Sequence, residues 1–227
     1  MQIMNTTHIG EPSDTDWHDT AFDLTRGLAA YTGSPLISGI ANVIGKHPQA
    51  DIGNAFNHKQ VASKMWARQM LLEHSGPIYR KILVVGGWYG ILSAMLFDDA
   101  RFQIDRIVSS DIDPDVAIVA EALNRPSADR FEAITADMYA MDYASFGADL
   151  VINTSCEHIA DHQAWLALLP RGTKVLLQSN DYFSEPTHIS CVPDLDGFRD
   201  QTRLSDEVFG GGLKTRNYTR FMLIGTV

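Results

Sequence analysis

Lys81-Ile82-Leu83-Val84-Val85-Gly86-Gly87-Trp88-Tyr89-Gly90 decides how this chain is read. An apolar run of strand length enters a glycine-rich turn, and Ile91 to Phe97 continues as a helix. Asp111 then ends the next apolar strand. This order suits a nucleotide-like cofactor. Glycines let the backbone turn tightly and approach the ligand, the helix presents its amide-rich end, and the acid accepts hydrogen bonds from ribose hydroxyls.

Outward from that turn, strand and helix patterns alternate. The expected strands are Ile82–Val85, Ile104–Ser109, Phe131–Thr135, Leu150–Asn153 and Lys174–Gln178. Between them lie helices Ile91–Phe97 and Asp115–Asn124, a short connection near Tyr139–Tyr143, and His162–Leu168. Asp194–Gln201 reads as a further helix, and Val208–Leu213 with Thr219–Gly225 as a terminal pair of strands. Alternation of this kind builds a right-handed, mostly parallel α/β sheet, here with an antiparallel C-terminal hairpin at its edge. Upstream, Lys59–Glu73 carries a helical stripe ended by Gly76-Pro77, and Ala21–His47 reads as two short helices split by Gly33-Ser34-Pro35. The expected organisation is an N-terminal arm and helical cap over residues 1–78 and a Rossmann-like core over 79–227.

Composition narrows the partners. The chain has 227 residues, enough for one sizeable core, and 18 Lys and Arg against 28 Asp and Glu give a net charge of −10. An acidic chain is a poor wrapper of nucleic acid or anionic lipid, both of which need a basic field. A small-molecule partner is therefore expected, with no nucleic acid and no membrane. Glu11, Asp14, Asp16, Asp19 and Asp23 precede a lone base, Arg26, and form either a solvated arm or a lid over a cationic substrate. Cys156 and Cys191 do not make a disulfide framework, no leader opens the chain and no apolar run approaches bilayer length, so a cytoplasmic location is expected.

From Lys81 to Val227 the chain resembles the class I, Rossmann-like S-adenosylmethionine-dependent methyltransferases. The resemblance implies S-adenosyl-L-methionine as cofactor. It places the methionyl part on the turn holding Gly86, Gly87, Trp88, Tyr89 and Gly90, the ribose on Asp111 beside Ile112, and the adenine near Asp137 and Met138. Two residues depart from the family's turn. Val84 stands where an acid is usual and Trp88 where a glycine is. Trp88 and Tyr89 either stack on the sulfonium or pack against the N-terminal helices. A nicotinamide dehydrogenase is disfavoured because Gly86 to Gly90 does not match G-x-G-x-x-G.

Ligands of open parallel sheets sit beyond the carboxyl ends of the strands. There the resemblance puts the substrate-orienting segment Asn153-Thr154-Ser155-Cys156-Glu157-His158. The Asn is kept but the Pro-Pro of amino-methylating members is absent, so that subclass does not carry over. Asn153 ends a buried strand and needs a partner, with expected contacts to both cofactor and acceptor. Glu157 or His158 is expected to take the acceptor's proton, imidazole titrating near ~6.5 in general; alternatively both cap the following helix. Tyr182, after the fifth strand, lines the acceptor pocket, with Asn180 as pocket or turn residue. Cys156, His158, His162, His188 and Cys191 show no zinc-site spacing, so no metal is expected, although His158 and His162 would share a face of a helix starting at His158. Gln60, Ser63, Lys64 and Trp66 present a helix face suited to closing the site, with Tyr31 or Phe22 above it.

These expectations converge on an S-adenosylmethionine-dependent methyltransferase acting on a small molecule by direct displacement. Two alternatives stand beside it. One attacks the aminocarboxypropyl carbon, transferring that group or cyclising it to azetidine-2-carboxylate with release of methylthioadenosine. The other is a non-catalytic cofactor-binding protein.

Overall fold

A computed structural model describes residues 17–227; Glu11, Asp14 and Asp16 of the acidic arm lie outside them. Four helices come first: α1 (Trp17–Thr32), α2 (Pro35–Lys46), α3 (Ile52–Ala55) and α4 (His58–His74). Ser34 caps α2 by accepting from the Ile37 N–H, with Pro35 just inside, and Asn57 caps α4 by accepting from the Lys59 and Gln60 N–H groups. The helix α1 begins upstream of the segment expected from periodicity, and Asp19 in its first turn complements the helix dipole. Periodicity gave no sign of α3, one turn nucleated by the Asp51 side chain on the Asn54 N–H.

Strands and helices then alternate: β1 (Ile78–Val85), α5 (Ile91–Phe97), β2 (Gln103–Asp111), α6 (Pro114–Leu123), β3 (Phe131–Thr135), α7 (Tyr143–Phe146), β4 (Leu150–Asn153), α8 (His162–Leu166), β5 (Lys174–Asn180), α9 (Leu195–Thr202), β6 (Asp206–Lys214) and β7 (Thr219–Thr226). They form a seven-stranded sheet in the order β3-β2-β1-β4-β5-β7-β6. The strands β1 to β5 run parallel, and β7 is antiparallel to both β5 and β6. The hairpin is therefore inserted back to front: its second strand pairs with β5 and its first forms the edge. Burial explains the order, because Phe221 to Ile224 of β7 are buried whereas β6 is exposed or half-buried along its length.

Strand periodicity divides the core. Ile82, Val84, Ile107, Ile152, Leu176 and Met222 face α4, α5 and α6. Leu83, Val85, Val108, Val151, Leu177 and Leu223 face Tyr143, Trp165 and Phe198 on α7, α8 and α9. A third cluster joins Leu36, Ile40 and Val43 of α2 to Ile91 and Met95 of α5 and Leu123 of α6. The helix α2 is thus fastened to α5 and α6 through its apolar stripe, while α4 packs directly on the sheet. No helix among the described residues is long and apolar enough to cross a membrane.

Candidate active site

The chain leaves β1 toward β2 and β3 on one side and returns to β4 on the other, so the crevice at the switch lies at the carboxyl end of β1. The glycine turn sits there. The Gly87 N–H donates to the Ser110 carbonyl (3.0 Å) and the Gly90 N–H to the Gly87 carbonyl (2.9 Å). Gly90 starts α5 at φ 70°, and a Cβ there would meet Asn124 and Phe131. Trp88 also has a positive φ, 46°. A bulky residue in the left-handed region costs on the order of 1–2 kcal/mol. The Asp111 carboxylate helps to hold it there, its Oδ2 accepting from the Trp88 N–H at 2.9 Å. The turn thereby keeps a glycine-like path with tryptophan in it.

Asp111 is half-buried at the end of β2. Its Oδ1 accepts from the Asp113 N–H at 3.2 Å. A carboxylate offers about four acceptor sites, so capacity remains for a diol. Asp137 follows β3 and is exposed, with Oδ1 accepting from the Tyr139 N–H. Gly86 to Tyr89, Asp111, Ile112, Asp137, Met138 and Asn153 all line one cavity of about 930 Å³.

The far end of that cavity is more highly charged. Arg220, on β7 opposite Asn180 in register, donates from Nη1 to the Thr154 carbonyl (2.8 Å) and from Nη2 to Glu157 Oε1 (3.2 Å). Both side chains are buried, at 7 % and 3 % exposure. Among the described residues, the Arg220 Nε, Glu157 Oε2 and Asn180 Nδ2 atoms have no hydrogen-bond partner. Lys64 reaches in from α4, its ammonium donating to Gln60 Oε1 at 2.7 Å. Burial, reinforced by the Arg220 charge and only partly offset by Glu157, pushes the Lys64 amine down to about 7. Tyr182 stacks on Tyr218 with centroids 5.5 Å apart, both lining the cavity.

Neither a family model nor a curated protein sequence matches the chain. Solved structures do. The N-methyltransferase NodS from Bradyrhizobium japonicum WM9, in complex with S-adenosyl-L-homocysteine, superposes with a TM-score of 0.58 at 12 % identity, covering 85 % of this chain and 98 % of that one. A putative sarcosine dimethylglycine methyltransferase from Galdieria sulphuraria gives 0.57 at 11 % identity over 74 % and 86 %. The N-terminal domain of EvdMO1 with S-adenosyl-L-homocysteine bound gives 0.55 at 14 % over 78 % and 85 %.

This chain has the class I S-adenosylmethionine-dependent methyltransferase fold. Most of the sequence-selected residues line the one cavity, Gly90 being buried behind it at the start of α5, and several have partners the sequence did not disclose. Asn153 is buried and its Oδ1 accepts from the Ser155 N–H (2.8 Å), so part of its capacity holds its own turn. Trp88 and Tyr89 stack on each other at 4.8 Å and pack against the N-terminal helical cluster while also lining the cavity. Val84 is buried in the core at the cavity floor. Glu157 and His158 do not cap the following helix. They form a separate 3-10 turn, and Asp161 caps α8 through the Ala164 N–H.

His162 consequently shares no face with His158; it is buried and donates Nε2–H to the Cys156 carbonyl. Burial holds its imidazole below the usual range and the Cys156 thiol well above its own. Gln60 and Lys64 line the cavity, whereas Ser63 bonds Gln178 (2.9 Å) and Trp66 packs on Phe209. Neither Tyr31 nor Phe22 lies over the cavity: Tyr31 is exposed and Phe22 packs with the α2 cluster. Arg220 escaped the sequence reading. Its signal was a lone cation in the apolar strand Thr219-Arg220-Phe221-Met222-Leu223-Ile224, which demands a buried partner.

Proposed function

We propose that this chain is an S-adenosylmethionine-dependent methyltransferase acting on a small-molecule acceptor by direct displacement. The observation that carries the reading is one continuous cavity. It runs from the Gly86–Gly90 turn and Asp111 at the switch point to the charged end formed by Lys64, Glu157 and Arg220. The residues fit the cofactor: Asp111 keeps acceptor capacity, which we assign to the ribose hydroxyls, and we assign the adenine to the cavity wall with Asp137 and Met138 and the methionyl end to the wall with Gly86 and Gly87. When bound, the cofactor supplies an electrophilic methyl on a sulfonium that becomes a neutral thioether.

The chain's own residues hold the acceptor in line and take its proton. Asn153 and Tyr182 border the acceptor space with Glu157 and His158. Among the cavity groups, Lys64 has its proton affinity brought close to neutrality, and we assign it the base. Glu157 is engaged by Arg220 and serves to position that end.

Product analysis with labelled cofactor and a metabolite panel tests the reading. S-adenosylhomocysteine formed only with an acceptor supports it; methylthioadenosine formed without acceptor replaces it with aminocarboxypropyl chemistry. Cofactor binding with no turnover favours the non-catalytic alternative. Asp111→Ala is expected to weaken cofactor binding about 10- to 100-fold by calorimetry, through loss of charge-assisted bonds to ribose and of the Trp88 N–H acceptor. Asp111→Asn, which keeps an acceptor for Trp88, separates the two contributions. Unchanged affinity in both variants removes Asp111 from the site.

A further inference from the structure

Beside the Lys64 end of the cavity, two neighbouring side chains of the turn after β4 meet a third from the loop after β5. Glu157, His158 and His188 each offer a ligand atom, and these atoms lie within 4.8 Å of one another. His188 is brought there by its loop: the Ser190 N–H donates to the Glu157 carbonyl and the Ser190 hydroxyl to the Cys156 carbonyl, both at 3.0 Å. The two rings meet edge to face, with centroids 4.8 Å apart.

The hydrogen bonds define which ring nitrogens are free. A carbonyl can only accept, so His158 donates Nδ1–H to Thr187 (2.9 Å) and His188 donates Nδ1–H to Tyr182 (3.1 Å). Both neutral imidazoles therefore keep the Nε2 lone pair. His188 Nε2 stands 4.0 Å from Glu157 Oε1. Backbone-anchored imidazoles with the other nitrogen bare are the arrangement found around bound metal ions. The carboxylate adds an independent observation. Glu157 is 3 % exposed, Arg220 takes Oε1, and Oε2 has no hydrogen-bond partner among the described residues. A buried carboxylate oxygen without a donor calls for a cation or a water.

We propose that Glu157, His158 and His188 form a site for a divalent transition-metal ion at the acceptor end of the cavity. Two imidazoles and one carboxylate select an ion of the zinc, cobalt or ferrous class over magnesium or calcium, which prefer oxygen. Bonds of about 2.0–2.2 Å require the ligand atoms to draw in by roughly 1 Å, within reach of side-chain rotation for exposed His158 and for His188 on its loop. Three protein ligands leave positions open toward the cavity, where an oxygen of an acceptor can bind. Binding of the ion stands on these three side chains alone, whereas the acceptor at its open positions rests on the methyl-transfer reading.

The test uses the full chain stripped of metal with chelator. Titration with Co²⁺, followed by visible absorption, and with Zn²⁺, followed by calorimetry, is expected to show one ion per chain. His158→Ala and His188→Ala should each weaken binding at least about tenfold. Glu157→Gln should do the same, with its thermal melt checking that the fold persists. Cys191→Ser should retain binding, although its thiol lies 3.7 Å from His188 Nδ1. Absence of stoichiometric binding, unchanged affinity in the histidine variants, or loss in Cys191→Ser overturns the assignment. S-adenosylmethionine binding to the metal-stripped protein reports separately on the cofactor reading, so the two can fail independently.

Discussion

Arg220→Met is expected to destabilise the protein by about 3–5 kcal/mol, the cost of leaving the Glu157 carboxylate buried without its cation. For a chain of this size that lowers Tm by roughly 6–20 °C. The guanidinium also closes the post-β4 turn through the Thr154 carbonyl, so part of the loss is a backbone acceptor left unpaired. The double variant Arg220→Met with Glu157→Leu discriminates. Removing both charges should recover most of the loss, because an apolar replacement of a buried pair is often close to neutral. A double variant no more stable than Arg220→Met would show that packing, not charge pairing, holds this end of the cavity. Thermal or denaturant melts measure both.

Lys64→Met should lower kcat about 10²- to 10³-fold and remove a pH inflection near 7 from the rate profile. In the wild type the rate should rise with pH through about 7 as the amine loses its proton, then level off. Stability gives a second readout with a defined sign. The amine titrates at about 7 in the fold and at 10.5 unfolded, so between these values the unfolded chain carries the extra proton. Stability therefore climbs as pH rises from about 7 to about 10.5, and the penalty of burying the charge is fully present below about 7. Lys64→Met removes that penalty. It should exceed the wild type by about 1–3 kcal/mol at pH 6 and lose the advantage toward pH 10. A variant that keeps both the rate inflection and the stability slope assigns the titration to another group.

Much of this was legible locally. Short apolar runs alternating with helical segments gave β1 to β5, and the Gly86–Gly90 turn with Asp111 announced a crevice at the end of β1. The antiparallel hairpin was legible as two strands, but not its reversed insertion, β5-β7-β6. Pairing partners depend on which strand is buried on both faces, and a single chain's pattern ranks that only weakly. Trp88 shows the same limit. Its place in a glycine turn was visible as an anomaly, whereas the left-handed backbone and the Asp111 bond supporting it appear only in the fold.

By itself the sequence determined the sheet's strands, most of the helices, the glycine turn and the candidate side chains on either side of it, because apolar pattern and turn chemistry act over a few residues. Tertiary structure alone decided what those side chains are. Lys64 from the cap, Glu157 after β4, His188 from the β5 loop and Arg220 on β7 meet only through long-range packing. Burial at that meeting point lowers the lysine's proton affinity and pairs the arginine. The same packing also gathers one ligand atom each from Glu157, His158 and His188 within 4.8 Å of one another.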